Sequence, residues 1–219
     1  MEGIDGSGKG TQAERLHQRL ADSGTRSSLI SFPRYADTLF GKAVGDFLNG
    51  RFGTLDQVNP FLVSLLYAGD RFESRAMLLE TIANNDVVVL DRYVASNMAH
   101  QASKLDGDER DELIRWIEQI EYDIYNLPRA DLIVLLDLPV NAAQKLVALK
   151  QQRSYTDKTA DLQEADAAYL ERVRAVYQRL ATEQPNWYRL NCCTGGDAIR
   201  SIDEIAAEIW GVVEAHRTA

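Results

Sequence analysis

The sequence predicts an α/β fold in which a five-stranded parallel sheet is covered by helices on both faces. Short, uninterrupted apolar runs at residues 87–90 and 132–136 are typical of strands that are buried on both sides. Amphipathic helical segments alternate with these runs along the chain. A glycine-rich loop stands directly before the first helical segment. We therefore expect one domain, residues 1–219, with ligands bound beyond the carboxyl ends of the strands.

The first strand of this sheet must lead into the glycine-rich loop, where only Met1 and Glu2 precede Gly3. Either this central strand is curtailed or the numbering begins inside the natural chain, and we favour an incomplete start. A curtailed central strand would open a groove in the sheet. The other four strands are predicted at residues 28–32, 87–90, 132–136 and 187–192.

Helices are predicted between the strands from the spacing of apolar residues and from their end signals. The segments are residues 11–21, 40–48, 60 to about 83, a helical region ending near 126, 142–152, 170–180 and 202–213. Asn59 and Pro60 form an N-cap followed by proline at the first helical position. In the helix that follows, we expect the core face to consist of Leu62, Leu65, Leu66, Phe72 and Ala76.

Composition indicates an ordinary globular protein and excludes some partners. The chain has 219 residues, 45% of them hydrophobic and 26% charged, with a formal net charge of −9. This acidity argues against binding to nucleic acid or to an anionic membrane. Adjacent Cys192 and Cys193 rarely bridge to each other, which suggests a reducing compartment. No apolar run approaches the roughly 20 residues of a membrane span, so we expect a cytoplasmic protein.

The glycine-rich loop runs Gly3-Ile4-Asp5-Gly6-Ser7-Gly8-Lys9-Gly10-Thr11 and has the spacing of a phosphate-binding loop. Its glycines allow successive backbone N–H groups to surround an anion, and Lys9 adds a positive charge. The helix that follows aims its N-terminus at the same phosphates. Gly10 separates Lys9 from Thr11, which displaces the hydroxyl that usually ligates Mg²⁺. A glycine-rich turn before an ordinary helix is the weaker interpretation.

Four arginines, Arg34, Arg71, Arg92 and Arg153, come from separate elements, and three of them should face one cleft. Arginine binds two phosphate oxygens at once, and this number exceeds what one triphosphate in the loop requires. We therefore expect a second phosphate-bearing ligand. Asp91 ends a buried strand, where its carboxylate could hold Mg²⁺ or simply pair with Arg92.

Tyr67 and Arg71 are four residues apart on one predicted helix and therefore share a face. Tyr67 could be an aromatic plate for a nucleobase, with Arg71 bonding the base edge. The alternative is that Tyr67 is an ordinary core residue.

Several motifs in order along the chain resemble those of the thymidylate kinase family, the P-loop enzymes that phosphorylate dTMP. They are residues 2–9, Phe32-Pro33-Arg34-Tyr35, Asp70-Arg71, Asp91-Arg92-Tyr93 with Ser96-Asn97, and residues 129–133. The mycobacterial, bacterial-type enzymes look most similar. The resemblance implies a three-layer P-loop kinase fold, the reaction ATP + dTMP → ADP + dTDP, Mg²⁺ as cofactor and a homodimer.

The resemblance also implies roles for matching residues. The ATP site would comprise Gly3, Asp5, Gly6, Ser7, Gly8, Lys9, Gly10 and Thr11. The dTMP site would comprise Asp5, Phe32, Pro33, Arg34, Tyr35, Tyr67, Arg71, Arg92, Asn97, His100 and Gln101. The metal ligands would be Asp5, Asp91 and Glu164, and the catalytic residues Lys9, Asp5, Arg92 and Arg153. His100 and Gly10 are departures from the family pattern.

A polar, charged segment at about residues 150–164 occupies the position of the family's lid. Gly6 stands where eukaryotic-type relatives carry a catalytic arginine, so the resemblance implies that the lid supplies the cation. Arg153 is the first candidate, followed by Lys150 and Lys158, and an arginine introduced at Gly6 would be expected to supply the charge instead. The rival functions are a nucleoside kinase with Asp91 as base, another nucleoside monophosphate kinase, and a nucleotide-binding P-loop protein without activity.

Overall fold

The computed structural model describes residues 1–54, 57–148, 166–195 and 198–218, and helices and strands alternate along them. In chain order the elements are α1 Lys9–Asp22, β1 Ser27–Ser31, α2 Leu39–Leu48, α3 Pro60–Glu73, α4 Arg75–Asn84, β2 Val87–Asp91, α5 Val94–Ala102, α6 Gly107–Glu118, β3 Ile133–Asp137, α7 Val140–Ala148, α8 Ala167–Glu183, β4 Trp187–Asn191 and α9 Ile202–Arg217. A π-helical segment, Gln119–Ile124, continues α6. Within the described ranges, no helix has the length and apolar character needed to span a bilayer.

The strands pair in parallel, as predicted. β1 lies beside β2 in a register that runs from Ser27↔Val87 to Ser31↔Asp91. β3 lies beside β4 in the same way, from Ile133↔Trp187 to Asp137↔Asn191. The α/β class is therefore confirmed, and the described strands form two sheets of two strands each.

Met1 and Glu2 lie between the two strand pairs and bond to both. The amino group of Met1 donates to the carbonyl of Leu90 at 2.7 Å, and Arg92 N donates to the carbonyl of Met1 at 3.0 Å. On the other side, Glu2 N donates to Val134 O at 2.9 Å. A cavity of about 450 Å³, whose lining includes Met1, β2 residues and β3 residues, lies beside this segment. The cavity is bordered by β2 residues Val87–Leu90 on one side and by Ile133 and Val134 of β3 on the other.

Helix α5 is buried on every side. All its residues from Val94 to Ala102 are buried, as expected for a helix enclosed between others in a core. Its polar members Ser96, Asn97, His100 and Gln101 are consequently removed from bulk water. Buried polar groups need hydrogen-bond partners, so α5 concentrates specific contacts at the site described below.

The predicted core face of α3 is wrong in most of its residues, although Leu66 packs against a buried cluster that includes Phe47 and Val63. Leu62 is 62% exposed and Phe72 is 49% exposed, whereas Ser64, Asp70 and Arg71 are buried. The polar face turns inward because its side chains form buried hydrogen bonds, described below. These bonds stabilise this orientation more than burial of the apolar residues would. The predicted single helix is also two, since α3 ends at Glu73 and α4 begins at Arg75.

Asp137 ends β3 and ties three elements together. It accepts hydrogen bonds from Arg174 of α8 at 2.7 Å, from Arg189 of β4 at 2.8 Å and from Gln178 of α8 at 3.1 Å. Burial alone would raise the pKa of Asp137, but the bonds from Arg174 and Arg189 hold it below its ordinary value. The carboxyl end of β3 is thus fastened to both α8 and β4.

Candidate functional site

A cavity of about 290 Å³ lies at the carboxyl ends of β1 and β2, next to the glycine-rich loop. Its wall contains many of the residues predicted for the dTMP site: Asp5, Phe32, Pro33, Tyr35, Tyr67, Arg71, Arg92, His100 and Gln101. Ser31, Leu48, Asp91 and Ser96 complete the lining. Arg34 and Asn97 do not line the wall. The residues singled out from separate motifs therefore converge in one place.

The glycine-rich loop has the positive φ angles that the motif predicts. Gly6 has φ 84° and Gly8 has φ 90°, and Gly8 stands at the N-cap of α1. A Cβ on Gly6 would lie 2.4 Å from the carbonyl oxygen of Ala143 in α7. Both the backbone conformation and the close approach of α7 therefore exclude a side chain at position 6.

Lys9 is folded back over the loop. Its Nζ donates to the carbonyl of Ile4 at 2.8 Å, and its side chain is buried. Burial, and secondly the nearby charge of Arg92, lowers the pKa of Lys9 to about 7. An anion bound in the loop would favour the charged form of Lys9 and so raise its pKa again.

Among the described residues, Asp91 and Asp5 are the carboxylates best suited to hold Mg²⁺. Asp91 Oδ1 is buried and lacks a hydrogen-bond partner among the described residues, and Asp91 Oδ2 lies 3.3 Å from where a Cβ on Gly10 would stand. The described part of the chain holds no group of three or more His, Cys, Asp or Glu side chains arranged for a metal. Because Mg²⁺ uses one or two carboxylates together with waters and substrate phosphates, an orphaned Asp91 oxygen beside the loop fits it. Thr11 is exposed.

Arg92 joins the loop to the cavity. Its backbone adopts φ 65°, which is uncommon for a residue other than glycine. Its guanidinium pairs with Asp5 of the loop and also donates to Ser96 Oγ at 3.2 Å. Burial alone would lower the pKa of Arg92, but the Asp5 carboxylate holds it well above its ordinary value. Arg92 is therefore a permanent, preorganised cation at the cavity wall.

His100 is a neutral partner of Arg92. Burial, and then the charge of Arg92, lowers the pKa of His100 to about 3. With Arg92 donating to Nε2 at 3.3 Å, the proton of the ring lies on Nδ1, which is 3.0 Å from the hydroxyl of Tyr169. Tyr169 in turn donates to the carbonyl of His100 at 3.0 Å. His100 thus positions Arg92 and does not carry charge itself.

Tyr67 and Arg71 both line the other part of the cavity wall. Arg71 is held by a buried bidentate pair with Glu121, at 2.5 Å from Nε to Oε2 and 2.6 Å from Nη2 to Oε1. Asn97, behind the wall, also donates to Glu121, at 2.9 Å. Gln101 accepts a hydrogen bond from Lys104 at 2.9 Å.

Glu121 and Lys104 were not among the residues predicted from sequence. Glu121 follows Leu113 and Ile117 at intervals of four residues, so it continues the buried stripe of α6 into the π-helical segment. An acidic residue at an apolar position of such a stripe is a signal for a buried ion pair. Lys104 carries no comparable pattern.

Asp70 holds the segment that follows β1 through hydrogen bonds. It is fully buried, and it accepts from Arg34 N at 2.9 Å and from Thr38 Oγ1 at 2.5 Å. Burial is the main cause that raises its pKa. The Arg34 side chain points to Ser74 Oγ at 3.3 Å and to Asp37 at 3.2 Å, which accounts for its position outside the wall.

The predicted lid lies outside the described residues, together with Lys150, Arg153, Lys158 and Glu164. The described chain resumes at Asp166, which caps α8 by accepting from Tyr169 N at 2.9 Å. Tyr169 also contacts His100, so the start of α8 is linked directly to the cavity wall.

Comparison with known proteins gives a consistent match. A family model described as thymidylate kinase matches residues 1–209. The chain is 32% identical over 183 residues to the thymidylate kinase of Mycobacterium tuberculosis, covering 84% of this chain and 85% of that protein. It is 33% identical over 220 residues to the probable thymidylate kinase of Thermococcus gammatolerans, covering 98% and 94%. It is 28% identical over 221 residues to the human thymidylate kinase, covering 100% and 91%.

A solved thymidylate kinase structure from Candida albicans has the same fold, with a TM-score of 0.74 and 23% identity, covering 99% of this chain and 90% of that one. The identities to bacterial, archaeal and human relatives are alike. The predicted bacterial subtype is therefore not supported by similarity.

Proposed function

Because the chain belongs to the thymidylate kinase family, whose members transfer the γ-phosphoryl group of ATP to dTMP, we propose that the 290 Å³ cavity binds dTMP and the glycine-rich loop binds ATP. The observation that carries this assignment is the ion pair between Arg92 and Asp5, which brings the cavity and the loop into direct contact. Phosphoryl transfer requires the acceptor and the donor phosphates to meet in line.

In the proposed complex, the acceptor phosphate lies at Arg92 and the thymine lies at Tyr67 and Arg71. Arg92 is a charged guanidinium near the loop, and arginine binds phosphate oxygens through its planar fork. Tyr67 offers an aromatic face, and stacking of a base on an aromatic ring contributes about 1–3 kcal/mol. We propose supporting contacts from Phe32, Pro33, Tyr35 and His100, which share the wall. Arg34 and Asn97 would act from behind it.

The donor nucleotide would occupy the loop from Gly3 to Thr11, with its phosphates at the start of α1. Lys9 would exchange the carbonyl of Ile4 for phosphate oxygens, since a charged acceptor makes the stronger hydrogen bond. Asp91 and Asp5 would hold Mg²⁺ or its waters, and Glu164 is proposed as a further ligand from the lid. A bound metal would supply positive charge that offsets the charge of the phosphates.

The reaction needs no general base. The acceptor is a phosphate monoester, whose second pKa of about 6 makes it largely dianionic at neutral pH. The main difficulty is to bring two polyanions together, and charge neutralisation by Lys9, Arg92 and a lid cation meets it. We propose Arg153 as that cation, with Lys150 and Lys158 next, because Gly6 leaves the loop without an arginine.

We propose that residues 1–219 form a single domain, with a lid at about 150–164, in which Met1 and Glu2 unite the two strand pairs into one five-stranded parallel sheet of a three-layer P-loop kinase fold. The main-chain bonds of Met1 to β2 and of Glu2 to β3 support this arrangement. We also propose a cytoplasmic homodimer. Exposed Leu39 and Leu62, at 74% and 62%, would supply apolar contact area for the second copy.

The decisive experiment is steady-state turnover on a panel of nucleosides and nucleoside monophosphates with MgATP. Turnover of dTMP far above that of dAMP, dGMP and thymidine supports the proposal. Preference for a nucleoside or a purine nucleotide would contradict it. Tyr67→Ala should raise KM for dTMP by roughly 10-fold or more and leave KM for ATP unchanged, because it removes a base stack. Tyr125→Ala, at an aromatic that packs on Phe72 outside the cavity, is the matched control.

A further inference from the structure

The hydroxyl group of Tyr169 fixes the position of the proton on the His100 ring. This hydroxyl donates to the main-chain carbonyl of His100 at 3.0 Å, and a carbonyl oxygen only accepts. Because the hydroxyl has a single proton, it must act as the acceptor toward His100 Nδ1, which lies 3.0 Å away. The ring is neutral, since burial and then the charge of Arg92 lower the pKa of His100 to about 3. Its one N–H is therefore at Nδ1, and Nε2 is left as an acceptor.

Arg92 is held at Nη1 and Nη2 but not at Nε. Nη1 carries two hydrogens and donates to Ser96 Oγ at 3.2 Å and to His100 Nε2 at 3.3 Å. Nη2 pairs with the carboxylate of Asp5. Nε makes no hydrogen bond within the described residues. The edge formed by Nε and Nη2 is therefore the one at which a phosphate can accept two parallel hydrogen bonds, in exchange with Asp5 at Nη2.

The other tautomer of His100 would turn a donor toward this cation. With the proton on Nε2, its N–H would face Arg92 Nη1, and two donors would lie 3.3 Å apart. His100 is buried, so water cannot relieve that contact. The guanidinium is a rigid plane, so a displacement of Nη1 also displaces the edge that faces the phosphate. The tautomer of His100 thus decides where Arg92 points.

Tyr169 lies behind the cavity wall and reaches Arg92 only through another residue. Its side chain is 1% exposed, and Tyr169 is not one of the described residues that line the cavity of about 290 Å³. We propose that Tyr169 is a positioning residue, which sets the tautomer of His100 and thereby directs the Nε–Nη2 edge of Arg92 toward the acceptor phosphate. The inference rests on the proposed function, in which Arg92 binds the phosphate of dTMP.

The test compares the binding of dTMP with that of thymidine, which lacks the phosphate. Calorimetry gives both dissociation constants for the wild type and for Tyr169→Phe, which keeps the ring and removes the acceptor for His100 Nδ1. The Kd for dTMP should rise roughly tenfold or more, as expected when a hydrogen bond to a charged group is lost, and the Kd for thymidine should stay nearly constant. Tyr188→Phe is the matched control, because it removes a hydroxyl of β4 that donates to Glu208 at 2.9 Å. It should change neither constant.

A double variant tests whether Tyr169 acts through the ring. His100→Gln places an amide oxygen near the position of Nε2, so the acceptor for Arg92 no longer depends on a tautomer. In this background, Tyr169→Phe should change the Kd for dTMP by less than about twofold, since the two residues form one chain of contacts. An effect as large as in the wild-type background overturns the inference.

A merely structural role of Tyr169 would weaken dTMP and thymidine by the same factor. That result, with dTMP turnover of the wild type intact, overturns the inference and spares the proposed function, whereas absence of dTMP turnover in the wild type overturns both. Nitrogen-15 NMR of the histidine-labelled wild type measures the tautomer directly, whether or not Tyr169→Phe folds. The signal of His100, identified by its loss in His100→Gln, should show a protonated Nδ1 and an unprotonated Nε2. The reverse pattern overturns the inference.

Discussion

Arg92 and Asp5 form an ion pair that links the end of β2 to the phosphate-binding loop. In the proposed complex Arg92 serves the acceptor nucleotide, whereas Asp5 lies in the loop that serves the donor. A phosphate that binds Arg92 competes with the Asp5 carboxylate for the same guanidinium. Occupation of either nucleotide site therefore alters the electrostatics of the other.

Replacing Lys9 should abolish most turnover while preserving the fold. Lys9→Ala removes the ammonium proposed to leave the Ile4 carbonyl and bind the transferring phosphates, and loss of such an electrostatic donor costs about 3–4 kcal/mol, or roughly 10²–10³ in kcat. Steady-state kinetics and thermal melting of the purified variant measure the two effects. Lys42→Ala, at an exposed lysine, is the control. Turnover of Lys9→Ala within a factor of about ten of the wild type would contradict the loop assignment.

Nucleotide binding should take up a proton through Lys9. Burial lowers the pKa of free Lys9 to about 7, and contact with phosphate raises it again because an anion favours the ammonium form. At about pH 8 the free lysine is mainly neutral and the bound one mainly charged, so MgADP affinity should weaken as the pH rises above 7. Calorimetric titrations in two buffers with different ionisation enthalpies measure the uptake. Equal uptake by Lys9→Met and the wild type would assign it to another group.

An arginine at Gly6 should inactivate the enzyme, contrary to the expectation from sequence that it would supply the missing charge. A Cβ there would stand 2.4 Å from the Ala143 carbonyl, and φ 84° is itself unfavourable by about 1–2 kcal/mol for a side chain. Gly6→Arg and Gly6→Ala should both lower Tm and activity. Gly211→Ala, where a Cβ on α9 meets nothing within 4 Å, should raise stability by up to about 1 kcal/mol. An active, stable Gly6→Arg enzyme would refute this assignment of strain.

Arg153 should act in the transition state more than in substrate binding. Arg153→Ala is expected to lower kcat by roughly 10³ or more, as for arginines that reach a transferring phosphoryl group, and to leave the dTMP dissociation constant nearly unchanged. Single-turnover kinetics and equilibrium titration separate the two quantities. Lys145→Ala, at an exposed residue of α7, is the control. A normal kcat would exclude Arg153 and direct the same test to Lys150 and Lys158.

Local sequence signals predicted the helices and strands well where burial of apolar side chains alone decides the structure. Continuous apolar runs identified β2 and β3 within a residue at each end. Every residue of β3 is buried as predicted, whereas in β2 only Val89 is buried and the other residues are partly exposed. The same reasoning failed for α3, where apolar spacing predicted an inward face that the structure exposes. Its burial is decided by the partners of Asp70 and Arg71, which lie 32 to 50 residues away in sequence.

The candidate site likewise contains residues that local sequence signals predicted and contacts that they did not. Glycine spacing and strand-end residues predicted that Asp5, Phe32 and Arg92 would converge on one cleft, since the carboxyl ends of parallel strands lie together. The hydrogen-bonding partners that orient those residues were not predictable in this way. Glu121 and Tyr169 reach the cavity from helices far along the chain, and no short motif specifies either contact.

The ion pairs of Asp137 with Arg174 and Arg189 also bear on the segment proposed as the lid. Residues 149–165 connect α7, which begins just after Asp137, to α8, which carries Arg174. Of these two helices, α8 is bonded to the end of β3 through Arg174, and α7 follows that strand end closely in sequence. The segment proposed as the lid therefore begins and ends at helices that meet at the carboxyl end of β3.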